Sequence, residues 1–402
     1  MAGIVVIGAG QAGSSCVAKL RSEGYDGAIT LIGAEAQPPY QRPPLSKAYL
    51  LGEMSEERLY LRPESFYSDN DIDLHLATRV EAIIATNKTI TLSDGATLSY
   101  DNLVLTTGAK PRTLPAAIGG TLKNVFTVRD LADADAMAPL FSEGNKALII
   151  GGGYIGLEAA AVAAKSGVEV TLVEMADRIL QRVAAPETSA YFRDLHAHHG
   201  VTIREGVGLE QLTGDTTVTG AILTDGTTLN LDFAVVGVGI SPATTLAETA
   251  GLAIDNGIAT NVYGQTSDPA IWAAGDCASA PLNGRQIRIE SVGNAIDQAE
   301  VVARNIMGAN VPYTPEAWFW SDQYDCKLQI AGLNMGYDAV HVRTDGTATS
   351  HWYYAGDRLI AVDAMNDPRN YMIGKRLIAA GKSPAPAAIT DPATDMKALL
   401  KA

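Results

Sequence analysis

The sequence predicts an α/β fold with two βαβ units, followed by a separate C-terminal α+β domain. The two units, one starting at the strand Gly3–Ile7 and the other at Ala147–Ile150, share one order: apolar strand, glycine-rich turn, helix, second strand. From Trp318 onward the chain is strand-rich again, and this part includes a predicted helix, Arg369–Ala380. The residues from Ser383 onward are expected to form a loose tail with a short final helix.

The turns of the two units carry the glycine pattern of dinucleotide-binding sites. The first turn reads Gly8-Ala9-Gly10-Gln11-Ala12-Gly13, and the second reads Gly151-Gly152-Gly153-Tyr154-Ile155-Gly156. In such a turn the first glycine permits the tight bend, the second lets backbone N–H groups approach a pyrophosphate, and the third lets helix and strand pack closely. Because both turns lie between a predicted strand and a predicted helix, we expect two Rossmann-like domains, each binding one dinucleotide.

Short strands are predicted after each unit. Residues Arg79–Thr106 divide into four of them, with separate strands at Thr97–Tyr100 and Asn102–Thr106, and residues Val201–Val238 repeat the pattern. Each Rossmann-like domain is therefore expected to carry a small antiparallel excursion.

Composition limits the partners and the location. The 402 residues are 47% hydrophobic and 19% charged, an ordinary globular balance. A net charge of -15 argues against nucleic acid, because phosphate binding needs a basic surface. Apolar runs such as Ala234–Val238 are too short to span a bilayer, and the first residues lack the regions of a signal peptide. We therefore expect a cytoplasmic protein without nucleic-acid or membrane partners.

An acid after the second strand of each unit is a candidate ligand for ribose hydroxyls. Glu174 holds this place in the second unit, where an acid repels an adenosine 2′-phosphate and favours NAD over NADP. Arg178 lies nearby and would weaken that preference. In the first unit the available acid is Glu35, one or two positions later than the usual spacing.

Cysteines and histidines carry no predicted chemistry. Cys16, Cys277 and Cys326 form no C-x-x-C pair, which argues against a thioredoxin-type disulfide. Cys277 is expected to be a buried packing residue, and Cys16 to face the sheet from the first helix. The histidines in His196–His199 fall near the end of an amphipathic helix, where cations are favoured, so no metal site is predicted.

Further motifs follow the glycine turns in a fixed order. They are QRPPLSK at Gln41–Lys47, TTGA at Thr106–Ala109 and SDPAIWAAGD at Ser267–Asp276. With the glycine turns, this series resembles the pyridine-nucleotide–disulfide oxidoreductase superfamily. The stretches RIESVGNA at Arg288–Ala295 and WFWSDQY at Trp318–Tyr324 narrow the resemblance to the FAD-dependent NADH:ferredoxin reductases of bacterial oxygenase systems.

The resemblance implies a glutathione-reductase-like arrangement of three domains. A discontinuous FAD-binding domain would comprise residues 1–109 and 236–316, the NAD-binding domain 110–235, and the C-terminal α+β domain 317–402. The residues that it implies for FAD are Gly8, Gly10, Ala12, Gly13, Glu35, Arg42, Lys47, Val80, Thr107, Gly108, Arg129, Asp276, Val292 and Trp320. Those implied for NAD are Gly151, Gly153, Tyr154, Ile155, Gly156, Glu174 and Gly239.

Three residues bear on hydride transfer from NADH to FAD: Lys47, Glu158 and Tyr154. Lys47 would lie beside the flavin ring, where a cation stabilises its reduced, anionic form. A buried lysine needs a carboxylate partner, and Glu158 is the candidate, although it also fits a first-turn acid favoured by the helix dipole. Tyr154 would stack on the flavin and move when nicotinamide arrives, or it would simply pack on the sheet.

Three further residues have alternative interpretations. Asp276 would hydrogen-bond the ribityl–phosphate region, and it also fits a helix N-cap, which is compatible with that role. Trp318 and Trp320 are expected to be core aromatics of the C-terminal domain, or one of them would cover the flavin edge where electrons leave.

The implied electron acceptor is a 2Fe–2S ferredoxin that supplies a haem (cytochrome) or Rieske-type oxygenase. The encounter would be transient and electrostatic, with the reductase a monomer. The candidates for a basic docking patch are Arg285, Arg288, Arg304, Lys327 and Arg369. Two alternatives stay open: an NADH oxidase or small-molecule reductase of monodehydroascorbate or quinone type, and an NADH-sensing flavoprotein resembling apoptosis-inducing factor.

Overall fold

The computed structural model describes residues 2–282 and 284–401, so Met1 and Ala402, where the predicted terminal domains begin and end, lie outside it. The chain forms two compact units. Unit 1 holds the residues up to Gln41, Glu56–Lys110 and Ser241–Ala317. Unit 2 holds Arg42–Ser55, Pro111–Ile240 and the residues from Trp318 on. Unit 2 thus contains both the second βαβ unit and the C-terminal segment, and the division into three domains stays a prediction.

Strands are numbered in chain order over the described residues. Strands β1 to β25 are Gly3–Ile7, Ile29–Ile32, Ile72–His75, Val80–Ile84, Thr89–Leu92, Thr97–Leu105, Ala109–Pro111, Val125–Phe126, Lys146–Ile150, Glu169–Glu174, Thr202–Glu205, Leu209–Thr213, Gly220–Leu223, Thr228–Asn230, Phe233–Val236, Ile240–Pro242, Ile258–Ala259, Ile271–Ala273, Ala278–Leu282, Arg285–Ile287, Trp318–Gln323, Cys326–Gly332, Ala339–Asp345, Ala348–Ala355 and Arg358–Met365.

Helices are numbered in the same way. Helices α1 to α9 are Gln11–Ser22, Ser65–Asp69, Leu131–Met137, Tyr154–Lys165, Pro186–His198, Thr245–Thr249, Val292–Ile306, Pro368–Ala379 and Pro386–Thr390. Among the described residues, no helix is both long enough and apolar enough to cross a membrane.

The sheet of unit 1 is built around β1. β1 pairs in parallel with β2 and β6, β2 pairs with β3, and β6 pairs with β18. Successive residues of β1 enter two different cores: Val5 and Ile7 lie in one, and Ile4 and Val6 in the other. A parallel strand that is apolar on both faces is what a sheet covered on both sides requires, so the first predicted βαβ unit is confirmed.

One predicted break in this sheet is wrong. The two strands expected at Thr97–Tyr100 and Asn102–Thr106 are the single strand β6. Its first part pairs antiparallel with β5 and its second part pairs in parallel with β1. The polar residues in the middle look like a turn in sequence, but the Asn102 side chain accepts a hydrogen bond from the Trp272 indole at 3.1 Å. A distant partner therefore keeps a polar residue within a continuous strand.

Unit 2 contains the second parallel sheet, in the order β11-β10-β9-β15-β8. The antiparallel excursion is smaller than predicted and comprises β12, β13 and β14 only. The strands expected at its two ends belong to the parallel sheet as β11 and β15. The buried residues of β15, Phe233–Val236, explain this placement, because an all-apolar strand needs cover on both faces.

The C-terminal segment forms the predicted α+β arrangement. Its antiparallel sheet has the order β21-β22-β25-β24-β23. Trp352 of β24, Val362 of β25 and Leu377 of α8 lie together in its core. The first strand of this sheet, β21, coincides with most of the WFWSDQY motif.

The expectation of a loose C-terminal tail is wrong. Ile389 of α9 and Met396 are buried in the C-terminal core. Arg343 of β23 donates hydrogen bonds to the carbonyl oxygens of Ile389 at 2.9 Å and Asp391 at 2.6 Å. A charged side chain that satisfies several backbone carbonyls therefore anchors this segment, and the short helix expected in it is present as α9.

A buried polar cluster joins α5 to the C-terminal sheet within unit 2. The Asp363 carboxylate accepts hydrogen bonds from the Thr188 hydroxyl at 2.8 Å and from the Tyr353 hydroxyl. His351 Nδ1 lies 2.7 Å from the Thr188 hydroxyl. Burial raises the pKa of Asp363 to about 6 and lowers the pKa of His351 to about 4.

Asp363→Asn is expected to change the pH dependence of stability. The pKa of Asp363 rises on folding from 3.8 to about 6, so this group contributes stability that is fully present below about pH 4 and lost as the pH rises through 6. The free energy of unfolding of the wild type, minus that of the variant, should fall by roughly 3 kcal/mol from pH 4 to 7 in urea titrations. The exposed Asp101→Asn should show no such change. A flat difference for Asp363→Asn would contradict the prediction.

Candidate functional site

The first glycine turn leaves the start of α1 open. At Gly8, with φ +112°, an added Cβ would lie 2.2 Å from the Thr106 carbonyl oxygen, and at Gly13 it would lie 2.0 Å from the Gly8 carbonyl oxygen. These two glycines are therefore fixed by the backbone packing. At Gly10, the N-cap of α1, an added Cβ would meet no atom within 4 Å, and no side chain caps the helix. An uncapped helix start facing open space is suited to a pyrophosphate.

The second glycine turn has the same construction. An added Cβ at Gly151 would lie 2.4 Å from the Gly237 carbonyl oxygen, and one at Gly156 would lie 2.1 Å from the Gly151 carbonyl oxygen. Gly153, the N-cap of α4, has no neighbour within 4 Å of a Cβ position and no side-chain cap. The residues of both turns thus fit the diphosphate of a bound dinucleotide.

Two other predicted nucleotide residues of unit 2 face open space. Gly239 has φ +99° and also leaves open space at its Cβ position. Ile155, in the first turn of α4, is 45% exposed although it is a large apolar residue. Such exposure next to an open helix start is consistent with the nucleotide role that stays predicted for it.

Glu174 ends β10 and is bound to the second glycine turn. Its carboxylate accepts hydrogen bonds from the backbone N–H of Gly152 at 2.7 Å and of Ala176 at 2.8 Å. Arg178 is engaged by other groups, because its guanidinium donates to the Ser189 hydroxyl at 2.5 Å and to the Ala184 carbonyl at 2.8 Å. Arg178, the cation expected to weaken the preference for NAD, is therefore bound to other groups.

The predicted flavin residues of unit 1 lie at ends of strands and helices. Glu35 follows β2 and accepts a hydrogen bond from the Tyr40 hydroxyl. The Thr107 hydroxyl donates to the Ala243 carbonyl at 2.7 Å, just after β6. Val292 is the first residue of α7. The remaining predicted positions are Ala12 in the first turn of α1, Val80 at the start of β4, and Gly108 with φ +68°.

The interpretation of Asp276 as a helix N-cap is wrong. Asp276 lies between strands β18 and β19, and the N-cap of the following helix α7 is Ser291. The position after β18, at the carboxyl end of the parallel sheet, is where α/β sheets bind ligands. Its flavin role stays a prediction.

The predicted flavin residues of unit 2 include a connected pair and an aromatic stack. Arg42 donates a hydrogen bond to the Arg129 carbonyl at 2.8 Å. Trp318 and Trp320 of β21 stack with ring centroids 5.5 Å apart, and Lys375 Nζ lies 5.8 Å from the Trp318 ring. Both tryptophans are half-buried, so the expectation that they are core aromatics is wrong. They lie on the face of β21 opposite to Phe319, whose ring contacts Tyr154.

Lys47 and Glu158 are joined in unit 2, as the sequence predicts. Lys47 Nζ lies 2.5 Å from Glu158 Oε2, and the Glu158 side chain is only 1% exposed. Glu158 lies on α4, two residues beyond the glycine turn, and Lys47 follows the short 3₁₀ helix Pro43–Ser46. A carboxylate this deeply buried requires a partner, so the helix-dipole interpretation alone does not account for it.

Two serines complete the surroundings of Glu158, and the sequence analysis missed both. Ser46 donates to Glu158 Oε2 at 2.9 Å, and Ser321 of β21 donates to Oε1 at 2.6 Å. Both serines lie within motifs that carry the family resemblance, QRPPLSK and WFWSDQY. Their place in these motifs could have indicated that they belong to the site.

Tyr154 packs on the C-terminal sheet in this structure. Its ring lies 4.9 Å from the Phe319 ring, at an angle of 37°. Its hydroxyl is buried and has no hydrogen-bond partner, and burial raises its pKa well above the ordinary value. Of the two predicted alternatives for Tyr154, this structure has the packing on the sheet. Its movement on nicotinamide binding stays a prediction.

The histidines and cysteines have structural surroundings. His196 is buried, and burial lowers its pKa to about 4, so the expected preference for a cation at this helix end does not apply to it. Cys277 is buried, and Cys16 lies in the core beneath β1, as predicted. Within the described residues, no group of three histidine, cysteine or acidic side chains is arranged to hold a metal ion.

The candidate docking cations are largely paired with acids. Arg288 lies 2.5 Å from Glu290, Arg304 lies 3.6 Å from Glu23 and 3.7 Å from Glu300, and Arg369 lies 3.3 Å from Asp395. A basic docking patch built from these residues stays a prediction, and local pairing reduces the positive charge that they contribute.

Two family models match this chain. The model described as pyridine nucleotide-disulphide oxidoreductase matches residues 2–299, and the model described as reductase C-terminal matches residues 318–400. The chain therefore belongs to the pyridine nucleotide-disulphide oxidoreductase family. It is an oxidoreductase that uses FAD and NAD(P)H, as the two glycine turns and the later motifs predict.

Individual relatives extend along the whole chain. Putidaredoxin reductase from Pseudomonas putida is 42% identical over 409 residues, which cover 99% of this chain and 97% of that protein. A ferredoxin–NAD(P)(+) reductase from Sphingomonas is 43% identical over 402 residues, with coverage of 98% and 96%. The solved covalent complex of putidaredoxin reductase with putidaredoxin contains a chain with TM-score 0.96 at 40% identity, with coverage of 100% and 98%. The predicted fold class and resemblance are confirmed.

Gly10→Ala and Gly153→Ala are expected to separate the two cofactors. Both backbones have φ values that alanine adopts, and the added Cβ meets no protein atom, so the fold should be unchanged. The methyl group instead enters the space at the helix start. Gly10→Ala should purify with less FAD, measured as flavin absorbance per protein. Gly153→Ala should keep FAD and bind NADH about tenfold more weakly, a loss of about 1.4 kcal/mol.

Each variant is the control for the other. Full FAD content in Gly10→Ala, or unchanged NADH titration in Gly153→Ala, would contradict the assignment of that turn.

Proposed function

We propose that this chain is an NADH-dependent ferredoxin reductase, which transfers hydride from NADH to FAD and then passes single electrons to a 2Fe–2S ferredoxin of a cytochrome or Rieske-type oxygenase system. The observation that carries the proposal is the pair of open glycine turns in a chain whose three cysteines are free and buried. Bound FAD supplies the exchange between two-electron and one-electron transfer. The names of the relatives, putidaredoxin reductase and ferredoxin–NAD(P)(+) reductase, support the acceptor.

The residues of the second turn favour NADH over NADPH. Glu174 is held in place by two backbone N–H groups, so its carboxylate is fixed where the ribose hydroxyls are expected. A 2′-phosphate would meet this negative charge. Arg178, the nearby cation, is engaged by Ser189 and Ala184. The specificity for NADH follows from the acid and from the engagement of the arginine.

The Lys47–Glu158 pair supplies the charge beside the reacting ring. Lys47 is held at 2.5 Å from a carboxylate that also accepts from Ser46 and Ser321, so the ammonium has a fixed position. A fixed cation favours the negative charge that reduction adds, and a preorganised charge needs no rearrangement during the reaction. Lys47 is therefore the proposed electrostatic residue, and Glu158 positions it.

The cysteines argue for an external acceptor. Burial raises the pKa of Cys16 to about 12 and also raises the pKa of Cys277, so neither is a thiolate near neutral pH. An oxidase mechanism that depends on a reactive cysteine would lack its nucleophile here. A cytoplasmic location is part of the proposal, because NADH and reduced thiols are found there.

The proposal is tested by anaerobic reduction of the purified protein with NADH and, separately, with NADPH. A 2Fe–2S ferredoxin and cytochrome c are then added. Rapid bleaching by NADH and cytochrome c reduction that depends on the ferredoxin are the expected results. Bleaching without ferredoxin dependence, followed by fast reoxidation by oxygen or a quinone, would overturn the acceptor and favour an oxidase or small-molecule reductase.

Glu174→Gln is expected to relax the nucleotide preference. Removing one negative charge near the 2′-position should lower the ratio of kcat/KM for NADH to that for NADPH by about tenfold, the effect of one like-charge contact of about 1.4 kcal/mol. Steady-state kinetics with both nucleotides measure this ratio. Glu169→Gln, at the opposite end of β10, should leave it unchanged. An unaltered ratio in Glu174→Gln would remove Glu174 from the specificity site.

A further inference from the structure

A chain of hydrogen bonds runs from Glu158 to the far end of α5, and it lies wholly within unit 2. Ser321 Oγ is 2.6 Å from Glu158 Oε1, and Gln323 Nε2 is 3.1 Å from Ser321 Oγ. Gln323 Oε1 is 2.8 Å from His196 Nε2, and His196 Nδ1 is 3.1 Å from the Tyr324 hydroxyl. The four links connect strand β21, the turn that follows it and helix α5 to the carboxylate that holds Lys47.

The direction of each hydrogen bond in this chain is determined. As a carboxylate, Glu158 only accepts hydrogen bonds, so Ser321 donates its single hydroxyl proton to it. Ser321 must then accept from Gln323, which places the amide nitrogen towards the serine and the amide oxygen towards His196. The histidine must in turn donate through Nε2–H and accept at Nδ1 from the Tyr324 hydroxyl. All four donors therefore point towards Glu158.

The side chains in this chain of hydrogen bonds are shielded from water. Ser321, Gln323 and His196 are each at most 1% exposed, so none of them has water as an alternative partner. Burial also lowers the pKa of His196 to about 4, which keeps the ring neutral with one N–H to donate. Aligned hydrogen bonds in a low-dielectric interior polarise one another, so the remote links strengthen the contact at the carboxylate.

Tyr324 supplies the last donor from an unusual backbone conformation. Its φ is +56°, a region that bulky residues rarely occupy. Its ring stacks on His199 with centroids 3.6 Å apart and an angle of 10° between the planes. Stacking on one side and a hydrogen bond to His196 on the other hold the residue in this conformation.

We propose that Gln323 and His196 are positioning residues of the hydride-transfer site, which orient the Ser321 hydroxyl towards Glu158 and so hold the carboxylate against Lys47. This inference rests on the proposed function, in which Lys47 lies beside the flavin. Tyr324 completes the chain by fixing the tautomer of His196. When the chain is interrupted, the Ser321 hydroxyl no longer has a fixed direction, and Glu158 holds the Lys47 ammonium less firmly. The positive charge beside the flavin is then less well positioned, and reduction becomes less favourable.

The test measures the midpoint potential of the bound flavin in the holoenzyme, together with the rate of bleaching by NADH. Gln323→Met removes the central link at similar volume. The ratio of reduced to oxidised flavin at a fixed potential should fall about fivefold, which corresponds to about 20 mV for a two-electron couple. The bleaching rate should fall by a similar factor. Tyr324→Phe, which removes one hydroxyl, should give about a twofold effect in the same direction.

Tyr354→Phe is the matched control. It also removes a tyrosine hydroxyl from the C-terminal segment, where Tyr354 donates to the Pro384 carbonyl at 2.6 Å, but it does not touch the chain to Glu158. Its potential and bleaching rate should equal those of the wild type. An equal fall in this control would assign the effect to general loosening of the sheet and overturn the proposal.

A second readout does not depend on turnover. Nitrogen NMR of histidine-labelled protein should show His196 as the neutral Nε2–H tautomer, and Gln323→Met should weaken that preference because the acceptor of this proton is gone. An Nδ1–H tautomer in the wild type would overturn the assigned directions.

The outcomes separate this proposal from the function on which it rests. Wild-type potential and rate in a fully flavinated Gln323→Met would overturn it. If Gln323→Met fails to fold or to retain FAD, the milder Tyr324→Phe provides the test. A lowered potential in this variant supports the proposal, and a wild-type potential overturns it. Failure of the wild type to pass electrons to ferredoxin would contradict the proposed acceptor. The midpoint potential of the bound flavin, measured by equilibration with a redox dye, would still test the positioning residues.

Discussion

The ion pair between Lys47 and Glu158 is the constraint on which the assembly of unit 2 depends. A carboxylate that is 1% exposed is stable only when its charge is matched and its oxygens are hydrogen-bonded. Its partners come from two segments that are far apart in sequence, with Ser46 and Lys47 in one and Ser321 of β21 in the other, so that together with α4 the carboxylate joins three segments. One buried charge therefore requires these segments to adopt a single arrangement.

The parts of the fold that the sequence predicts are those decided by local backbone geometry. The glycine turns are examples: Gly8 and Gly151 have φ values of +112° and +107°, and a Cβ at Gly13 or Gly156 would meet the carbonyl oxygen of Gly8 or Gly151 in the same turn. The βαβ units and the strands of the C-terminal segment follow from periodicity in the same way. The family motifs add the pairing of Lys47 with Glu158, which spacing alone does not contain.

Non-local partners decide the features that the sequence analysis missed. Asn102 stays within a strand because Trp272 donates to it, and the tail is ordered because Arg343 binds its carbonyl oxygens. In the sequence, His196 belongs to a histidine group near a helix end, where cations are favoured, but its environment is set by Gln323 and Tyr324 from another part of the chain. No pattern within the helix α5 carries that information. Buried polar contacts between distant segments are therefore the part of this site that only the structure reveals.

Unit 2 is formed by three separate stretches of the chain, and this has a consequence for its folding during synthesis on the ribosome. Leu50, from the early segment Arg42–Ser55, belongs to the same core cluster as Leu328 and Met365, near the C-terminus. The nascent chain thus emerges with apolar side chains whose packing partners have not yet been translated. That core closes only after the residues up to Met365 have left the exit tunnel, so unit 2 does not fold segment by segment as it is synthesised.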